Sequence, residues 1–418
     1  MQKLYVYACF DWLDSPKLMG ELGYESLRGS DSYSFRYDEE WLQKYGALFL
    51  SADLRGFPGM QYTQPGHDVF GCFADALPDR WGRLLVARRE QILAAEEQRP
   101  VRRLTSFDYL TGIDDFSRMG AFQFKHSLDG DFINTDTRLR IPPLSDIREL
   151  VAASHEIERS EDLNKLPEKR WIQQLVNPGS SLGGARPKAG VLDEKGNLCV
   201  AKFPSRNDDY DVALWEHLCH LLAREAGITA AETSVVDVGE HHHVLLSRRF
   251  DRTDGGKRRH FASAMTLLGL TDGCNASTGN GYLDIVDFIL QHCCDVEWNL
   301  RQLYRRVAFN IGVGNSDDHF RNHGFLLTPR GWTLSPAYDM NPTLNPTQSL
   351  LINRNSNMAD QELLLESSDD YMIQREEAQD IIREVNKAIS KWKSLARRLK
   401  IAPRESDFFQ DVFSRNIQ

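Results

Sequence analysis

No Cys-x-x-Cys pair occurs in this chain, and its cysteines are odd in number: Cys9, Cys72, Cys199, Cys219, Cys274, Cys293 and Cys294. That argues against a zinc framework or a paired disulfide scaffold, and fits a reducing, cytoplasmic setting. No apolar run is long enough to span a bilayer. The opening Met1-Gln2-Lys3-Leu4-Tyr5-Val6-Tyr7 reads as a first strand and lacks a cleavage-site pattern. Positive charge is in the minority: 50 Lys and Arg stand against 60 Asp and Glu, a formal charge of −10, and the pI is about 5.7. This balance disfavours unaided binding to DNA phosphates but allows docking to a basic partner. Internal repeats and long low-complexity segments are also missing. What remains is ordinary for a globular protein, with 41% apolar and 26% charged residues. At 418 residues the chain predicts two or three subdomains.

Residues 1–150 read as an accessory part, rich in strands at the start. Ser32-Tyr33-Ser34-Phe35-Arg36-Tyr37 alternates polar and aromatic, as a half-buried strand does, and Gly20, Gly23 and Gly29 are expected to break the strands there. Asp38 before Glu39-Glu40-Trp41 predicts a helix start. Helices are expected over 78–97, with Pro78 in the first turn, and over about 145–158. Residues 151–252 include a Gly-rich turn, a hairpin through Gly190–Leu192 and Leu198–Phe203, a helix over about 211–226 ending at Gly227, and a strand over 243–250. Residues 253–418 are mostly helical in pattern, with a long amphipathic stretch over 375–400. The polar segments 205–211 and 253–259 read as loops.

The chemistry concentrates in Asn315-Ser316-Asp317-Asp318-His319-Phe320-Arg321-Asn322 and in Tyr338-Asp339. Phosphoryl transfer from ATP needs a carboxylate to take the proton of the attacking hydroxyl, and an Asn and a second carboxylate to hold Mg²⁺. Protein kinases space the base and the Asn by five residues, and Asp317 and Asn322 repeat that spacing. Asp317 is the expected base, with Asn322 and Asp339 as metal ligands. Asp318 competes for the base role but stands only four residues from Asn322. His319 is expected to fix the loop. His319 and His323 stand four apart, as zinc ligands on a helix can, but Phe320 occupies the place of the zincin Glu.

Lys202 lies in an otherwise apolar strand, where an ammonium needs a partner. Its expected roles are phosphate contact and pairing with Glu216, which lies off the apolar face of the following helix. The segment Ser180-Ser181-Leu182-Gly183-Gly184-Ala185-Arg186-Pro187-Lys188 is neither a Walker A nor a Gly-x-Gly-x-x-Gly loop. Ahead of a hairpin ending in Lys202, it is placed to cover phosphates with backbone N–H groups, Ser181 and Lys188 adding a hydroxyl and a cation. Backbone at Arg249 and Phe250 is positioned to read an adenine edge.

Together these residues resemble the HipA family of serine/threonine kinases, the toxins of bacterial toxin–antitoxin pairs. The resemblance rests on Ser181–Lys188, Ala201-Lys202-Phe203-Pro204, Arg249-Phe250-Asp251-Arg252, Asn315–Asn322 and Ser335-Pro336-Ala337-Tyr338-Asp339. Upstream, Ala76-Leu77-Pro78-Asp79-Arg80-Trp81-Gly82 and Arg118-Met119-Gly120-Ala121-Phe122 are similar to the family's N-terminal region. It implies an α+β, protein-kinase-like two-lobed fold with an extra N-terminal β-rich subdomain and a helical C-terminal lobe. ATP and Mg²⁺ are implied as cofactors. So is phosphorylation of a protein, in studied members an aminoacyl-tRNA synthetase. Autophosphorylation of Ser181 would act as an off-switch, and a small DNA-binding antitoxin, HipB-like, would be the partner and the only route to DNA. A small-molecule kinase and a catalytically silent co-repressor module remain as alternatives.

Overall fold

The computed structural model describes residues 2–27, 30–64, 67, 69–135, 141–162, 165–176, 184, 186–239 and 242–415. The chain forms two compact units, Met1–Asn207 with Arg248–Ala262, and Asp208–Ser247 with Ser263–Gln418.

The first unit opens with an antiparallel sheet of β1 (Gln2–Ala8), β2 (Lys17–Leu27), β3 (Ser30–Tyr37), β4 (Met60–Tyr62) and β5 (Phe122–Lys125), in the order β4-β3-β2-β1-β5. Alternation decides its faces: Leu4, Val6 and Ala8 are buried, as are Tyr33, Phe35 and Tyr37. Gly20 and Gly23 do not break β2, contrary to expectation, and Gly29 lies outside the described residues. A Cβ at Gly20 would lie 2.3 Å from the Arg36 carbonyl oxygen, and the β1–β2 register shifts beside it between Val6 and Tyr7. Glycine here permits close backbone approach at a bulge. Asp38 caps the helix Glu39–Tyr45 through its carboxylate. Pro78 precedes the helix Arg80–Glu96, whose cap is Asp79, accepting from Gly82 N–H at 2.8 Å. The second expected helix begins as a 3₁₀ turn, Leu144–Asp146, and continues through Ile147–Asp162. A hairpin of Lys188–Leu192 and Leu198–Lys202 follows, with Lys188 directly opposite Lys202.

A buried polar brace holds residues 117–120 to residues 249–252. Asp251, fully buried, accepts two bonds from Arg249 at 2.6 Å, one from Arg252 at 2.7 Å and one from Gly120 N–H at 2.9 Å. Arg249 also reaches the Ser117 carbonyl at 3.1 Å, and Arg252 the Arg118 carbonyl at 2.7 Å. Gly120 takes a left-handed φ of 75°, which a residue with a Cβ rarely adopts.

Next to this brace His260 lies against the rings of Phe10 and Phe122, with centroids 5.2 and 4.3 Å away. Burial pushes its pKa down to about 3, against the pull of Asp251. Its folded pKa is depressed, so the unfolded chain binds the extra proton first. Stability is therefore lost as pH falls from about 6.5 toward 3. The His260→Phe protein is expected to lack this part of the acid limb, a gain on the order of 2 kcal/mol at about pH 4.5 relative to pH 7. Melting curves of both proteins at the two pH values check it; equal losses would contradict the assignment.

The second unit is mainly helical. Val212–Glu225 is capped by Asp211 and ends before Gly227, which takes φ 77°. Its Trp215 is fully buried among Trp392, Phe409 and Phe413. Thr233–Gly239 and His242–Arg248 pair antiparallel. Tyr282–His292 and the buried Val296–Val313 precede a second hairpin, Gly324–Thr328 with Gly331–Leu334. The amphipathic stretch 375–400 forms two helices, Arg375–Ile389 and Trp392–Arg398. Ile389 and Trp392 are both buried at a spacing of three, so the apolar phase runs through the break. All seven cysteines are free, and among the described residues no helix is long and apolar enough to cross a membrane.

Candidate active site

The loop at 315–322 begins where the helix Val296–Val313 ends. Gly314 supplies the left-handed residue, φ 71°, that turns the chain. A Cβ there would meet Val412 at 2.3 Å, so the turn is also a point of close packing. Asn315 continues the stop: its N–H reaches the Asn310 carbonyl at 2.9 Å, and its side-chain amide the Asn310 side chain at 3.1 Å.

Asp317 and Asp318 are adjacent but have opposite surroundings. Asp318 is buried, and one of its oxygens receives Tyr282 O–H at 2.7 Å and Asn310 Nδ2 at 2.7 Å, with His323 Nε2 at 2.8 Å. Burial opposes its charge, but His323 and these donors outweigh burial and hold the carboxyl below its usual range. Its carboxylate is an internal anchor for the loop. Asp317 points to the surface. Partial desolvation raises its pKa; His319 counters that, while the charges of Asp339 and Asp318 add to it. A carboxyl so placed is a better proton acceptor than an ordinary one.

Asn322 spends its amide nitrogen on the Asp317 carbonyl, at 2.9 Å. That bond fixes which face of the amide the oxygen presents, as a metal-binding Asn requires. His319 fixes the loop through its backbone, accepting from Asn322 N–H at 2.8 Å and donating to the Asp317 carbonyl at 3.2 Å. His323 is committed to Asp318, and among the described residues no group of three or more His, Cys, Asp or Glu forms a metal cluster.

The segment carrying Asp339 is laced to this loop. Tyr338 O–H donates to the Arg321 carbonyl at 2.5 Å, Thr343 N–H to the Gly314 carbonyl at 2.9 Å, and Asn341 N–H to the Asn315 side chain at 3.2 Å. Asp339 itself has φ 58°, an uncommon conformation for a residue with a Cβ and one that collects at functional sites. The Asn341 amide lies 3.4 Å from Asp339 Oδ1 and 3.5 Å from Glu216 Oε2. Glu216 is buried on the helix Val212–Glu225, with His220 Nε2 3.8 Å away. Asp317, Asn322, Asp339 and Glu216 all lie in the second unit. Asp317 and Asp339 are near enough for their charges to repel, and two carboxylates with an amide oxygen are hard donors of the kind Mg²⁺ takes.

The remaining expected residues lie in the first unit, apart from Ser181 and Gly183, which fall outside the described residues. Lys202 is half-buried at the end of its strand. Lys188 is buried, its ammonium 2.9 Å from both Asp79 Oδ2 and the Gly184 carbonyl. The Arg249 side chain belongs to the polar brace, its N–H bonds the Leu198 carbonyl at 2.9 Å, and the Phe250 ring lies 5.8 Å from that of Phe261. The sequence reading missed Tyr282, Asn310 and Asn341. Only Asn310 carried a signal, as an amide inside the apolar run Phe309–Val313.

Residues 180–392 match the HipA-like C-terminal domain, and residues 13–108 match the HipA N-terminal domain. The chain belongs to the HipA family. A putative kinase of Haemophilus influenzae is 27% identical over 199 residues, 42% of this chain and 57% of the relative. The serine/threonine-protein kinase toxin HipA of Shewanella oneidensis is 25% identical over 214 residues, 46% of this chain and 48% of the relative. The chain thus spans about half the length of these curated relatives. A solved structure of the Shewanella oneidensis MR-1 HipA, HipB and operator DNA complex matches with a TM-score of 0.69 at 17% identity, covering 99% of this chain and 96% of that one. The α+β, kinase-like fold expected from the sequence is the HipA fold.

Proposed function

We propose that this protein is an ATP- and Mg²⁺-dependent serine/threonine protein kinase that acts as a HipA-type toxin. The observation that carries this reading is the lacing of Asp317, Asn322 and Asp339 into one arrangement, with Asp318 withdrawn as the anchor. Asp317 accepts the proton of the substrate hydroxyl as its oxygen bonds to the γ-phosphorus and the bond to the β-phosphate oxygen breaks. Asn322 and Asp339 hold Mg²⁺, which neutralises the phosphate oxygens when bound. Lys202 contacts the α- and β-phosphates, the segment 181–188 covers them, and backbone at Arg249 and Phe250 meets the adenine edge. The accessory part is residues 1–150, followed by a nucleotide-binding part, 151–252, and a catalytic part, 253–418. The target is a protein of the translation apparatus, such as an aminoacyl-tRNA synthetase. The partner is a HipB-like antitoxin that contacts DNA, and the setting is cytoplasmic.

Asp339→Asn is expected to raise the Mg²⁺ concentration for half-maximal phosphotransfer by at least about tenfold, since one charge-assisted ligand is lost. A Mg²⁺ titration at fixed ATP checks it, and an unchanged midpoint contradicts the ligand assignment. Phosphorylation of Ser181 adds roughly −1.5 to −2 of charge beside the ATP phosphates and switches the enzyme off by repulsion. Ser181→Ala is expected to stay active after long incubation with ATP while the parent loses activity; equal time courses contradict the switch.

A further inference from the structure

Lys188 and Lys202 face each other at the open end of the hairpin of Lys188–Leu192 and Leu198–Lys202, where the register places them directly opposite. Opposed residues of an antiparallel pair present their side chains on one face, where like charges repel. The hairpin nevertheless holds Lys188 with a side chain only 1% exposed, and its ion-pair partner Asp79 is 4% exposed. An ammonium so buried is costly unless compensated. Asp79 Oδ2 at 2.9 Å and the Gly184 carbonyl at 2.9 Å supply the compensation.

Asp79 is itself fixed. Its other oxygen caps the helix Arg80–Glu96 at 2.8 Å from Gly82 N–H. The pair joins the region matching the HipA N-terminal domain to the region matching the C-terminal domain. One step along, Phe203 N–H bonds the Pro187 carbonyl at 2.9 Å, so backbone pairing continues on the far side of Lys202.

We propose that Asp79 and Lys188 are positioning residues: Asp79 neutralises Lys188 and holds it in the protein, which fixes the end of the hairpin and so sets the place from which Lys202 meets the nucleotide phosphates. This rests on the kinase reading above and assigns Lys188 a part other than phosphate ligand. It also gives the N-terminal region an indirect part in nucleotide binding, through one carboxylate. Taking away the Asp79 charge leaves the buried Lys188 ammonium uncompensated opposite Lys202, and the end of the hairpin must rearrange. Taking away both charges removes the conflict, because a buried pair replaced as a unit costs far less than one broken by halves.

The test uses the full chain and four variants, K202M, K188M, D79N and D79N/K188M. Asn at residue 79 keeps a good helix cap while dropping the charge. Each protein is titrated with a fluorescent ATP analogue and with the matching adenosine analogue, and its melting temperature is recorded. K202M is expected to lose ATP affinity by about tenfold or more, the equivalent of one charge-assisted contact. D79N is expected to weaken ATP but not adenosine, by about fivefold or more, and adding K188M to it to restore ATP affinity to within about threefold of the parent. The double variant should also melt closer to the parent than either single variant does.

A double variant as weak for ATP as K202M would overturn the proposal, by making Lys188 a phosphate ligand. So would a D79N protein with parental ATP affinity, which would leave the pair a purely structural one. A parent that binds neither nucleotide contradicts the kinase reading instead. The melting temperatures then decide the pairing alone: additive losses overturn it and a recovered double variant supports it.

Discussion

Asp317→Asn is expected to lower the rate of phosphotransfer by about 10²- to 10⁴-fold, the range for a general base, while leaving the affinity for Mg²⁺–ATP nearly unchanged. The amide keeps the size of the carboxylate but cannot take the proton. Its backbone carbonyl still accepts the Asn322 amide, so Asn322 keeps its orientation. A loss confined to kcat identifies an interaction made only in the transition state. Asp318 provides the internal contrast. Asp318→Asn leaves Tyr282 O–H, Asn310 Nδ2 and His323 facing a neutral amide inside the protein, so its cost falls on the folding of the loop. Steady-state rates and calorimetric nucleotide binding on Asp317→Asn separate the two effects. An unchanged kcat would remove Asp317 from the base role.

The largest effect on stability is expected at Asp251. Asp251→Asn removes the charge that compensates Arg249 and Arg252, whose side chains are nearly as buried as the carboxylate itself. Leaving buried charges without their partner costs about 3–5 kcal/mol. For a unit of this size that is a fall in melting temperature of roughly 10 °C or more. Burial works against the Asp251 charge, yet Arg249 and Arg252 hold its pKa at about 2. The folded value is depressed, so the stabilisation is complete above about pH 4 and is lost as pH falls toward 2. Thermal melts of Asp251→Asn and the parent at neutral pH check the size of the effect. A difference of only about 2 °C would mean that the brace is not fixing residues 117–120.

Much of this architecture is written locally. Asp38 and Asp211 cap helices where an acid precedes an apolar-periodic run, and Gly227 ends one where only a left-handed residue fits. The hairpin of Lys188–Leu192 and Leu198–Lys202 was legible because its turn residues sit between two short apolar runs. The loop 315–322 stands out in the sequence because the five-residue spacing of Asp317 and Asn322 repeats that between a kinase base and its metal-binding amide.

What was not legible is what depends on distant partners. Asp318 looks like a rival to Asp317 until Tyr282, 36 residues away, closes on it. The burial of Lys188 against Asp79, 109 residues away, has no local signal either. Arg249 and Phe250 suggest an adenine-reading stretch, while the Arg249 and Asp251 side chains turn inward to the brace. Gly20 reads as a break because a bulge and a break use the same residue. The division at Ser390–Lys391 was hidden because the apolar period continues from one helix into the next.

On the proposed reading Asp317, Asn322 and Asp339 serve the transfer of phosphate from ATP to a protein hydroxyl. The most direct measurement is incubation of the purified protein with γ-labelled ATP and Mg²⁺, alone and with cell lysate, followed by mass spectrometry. Label on serine or threonine that is absent when Asp317→Asn replaces the parent is the predicted result. Bound nucleotide with no labelled protein, or equal labelling by parent and variant, would contradict it.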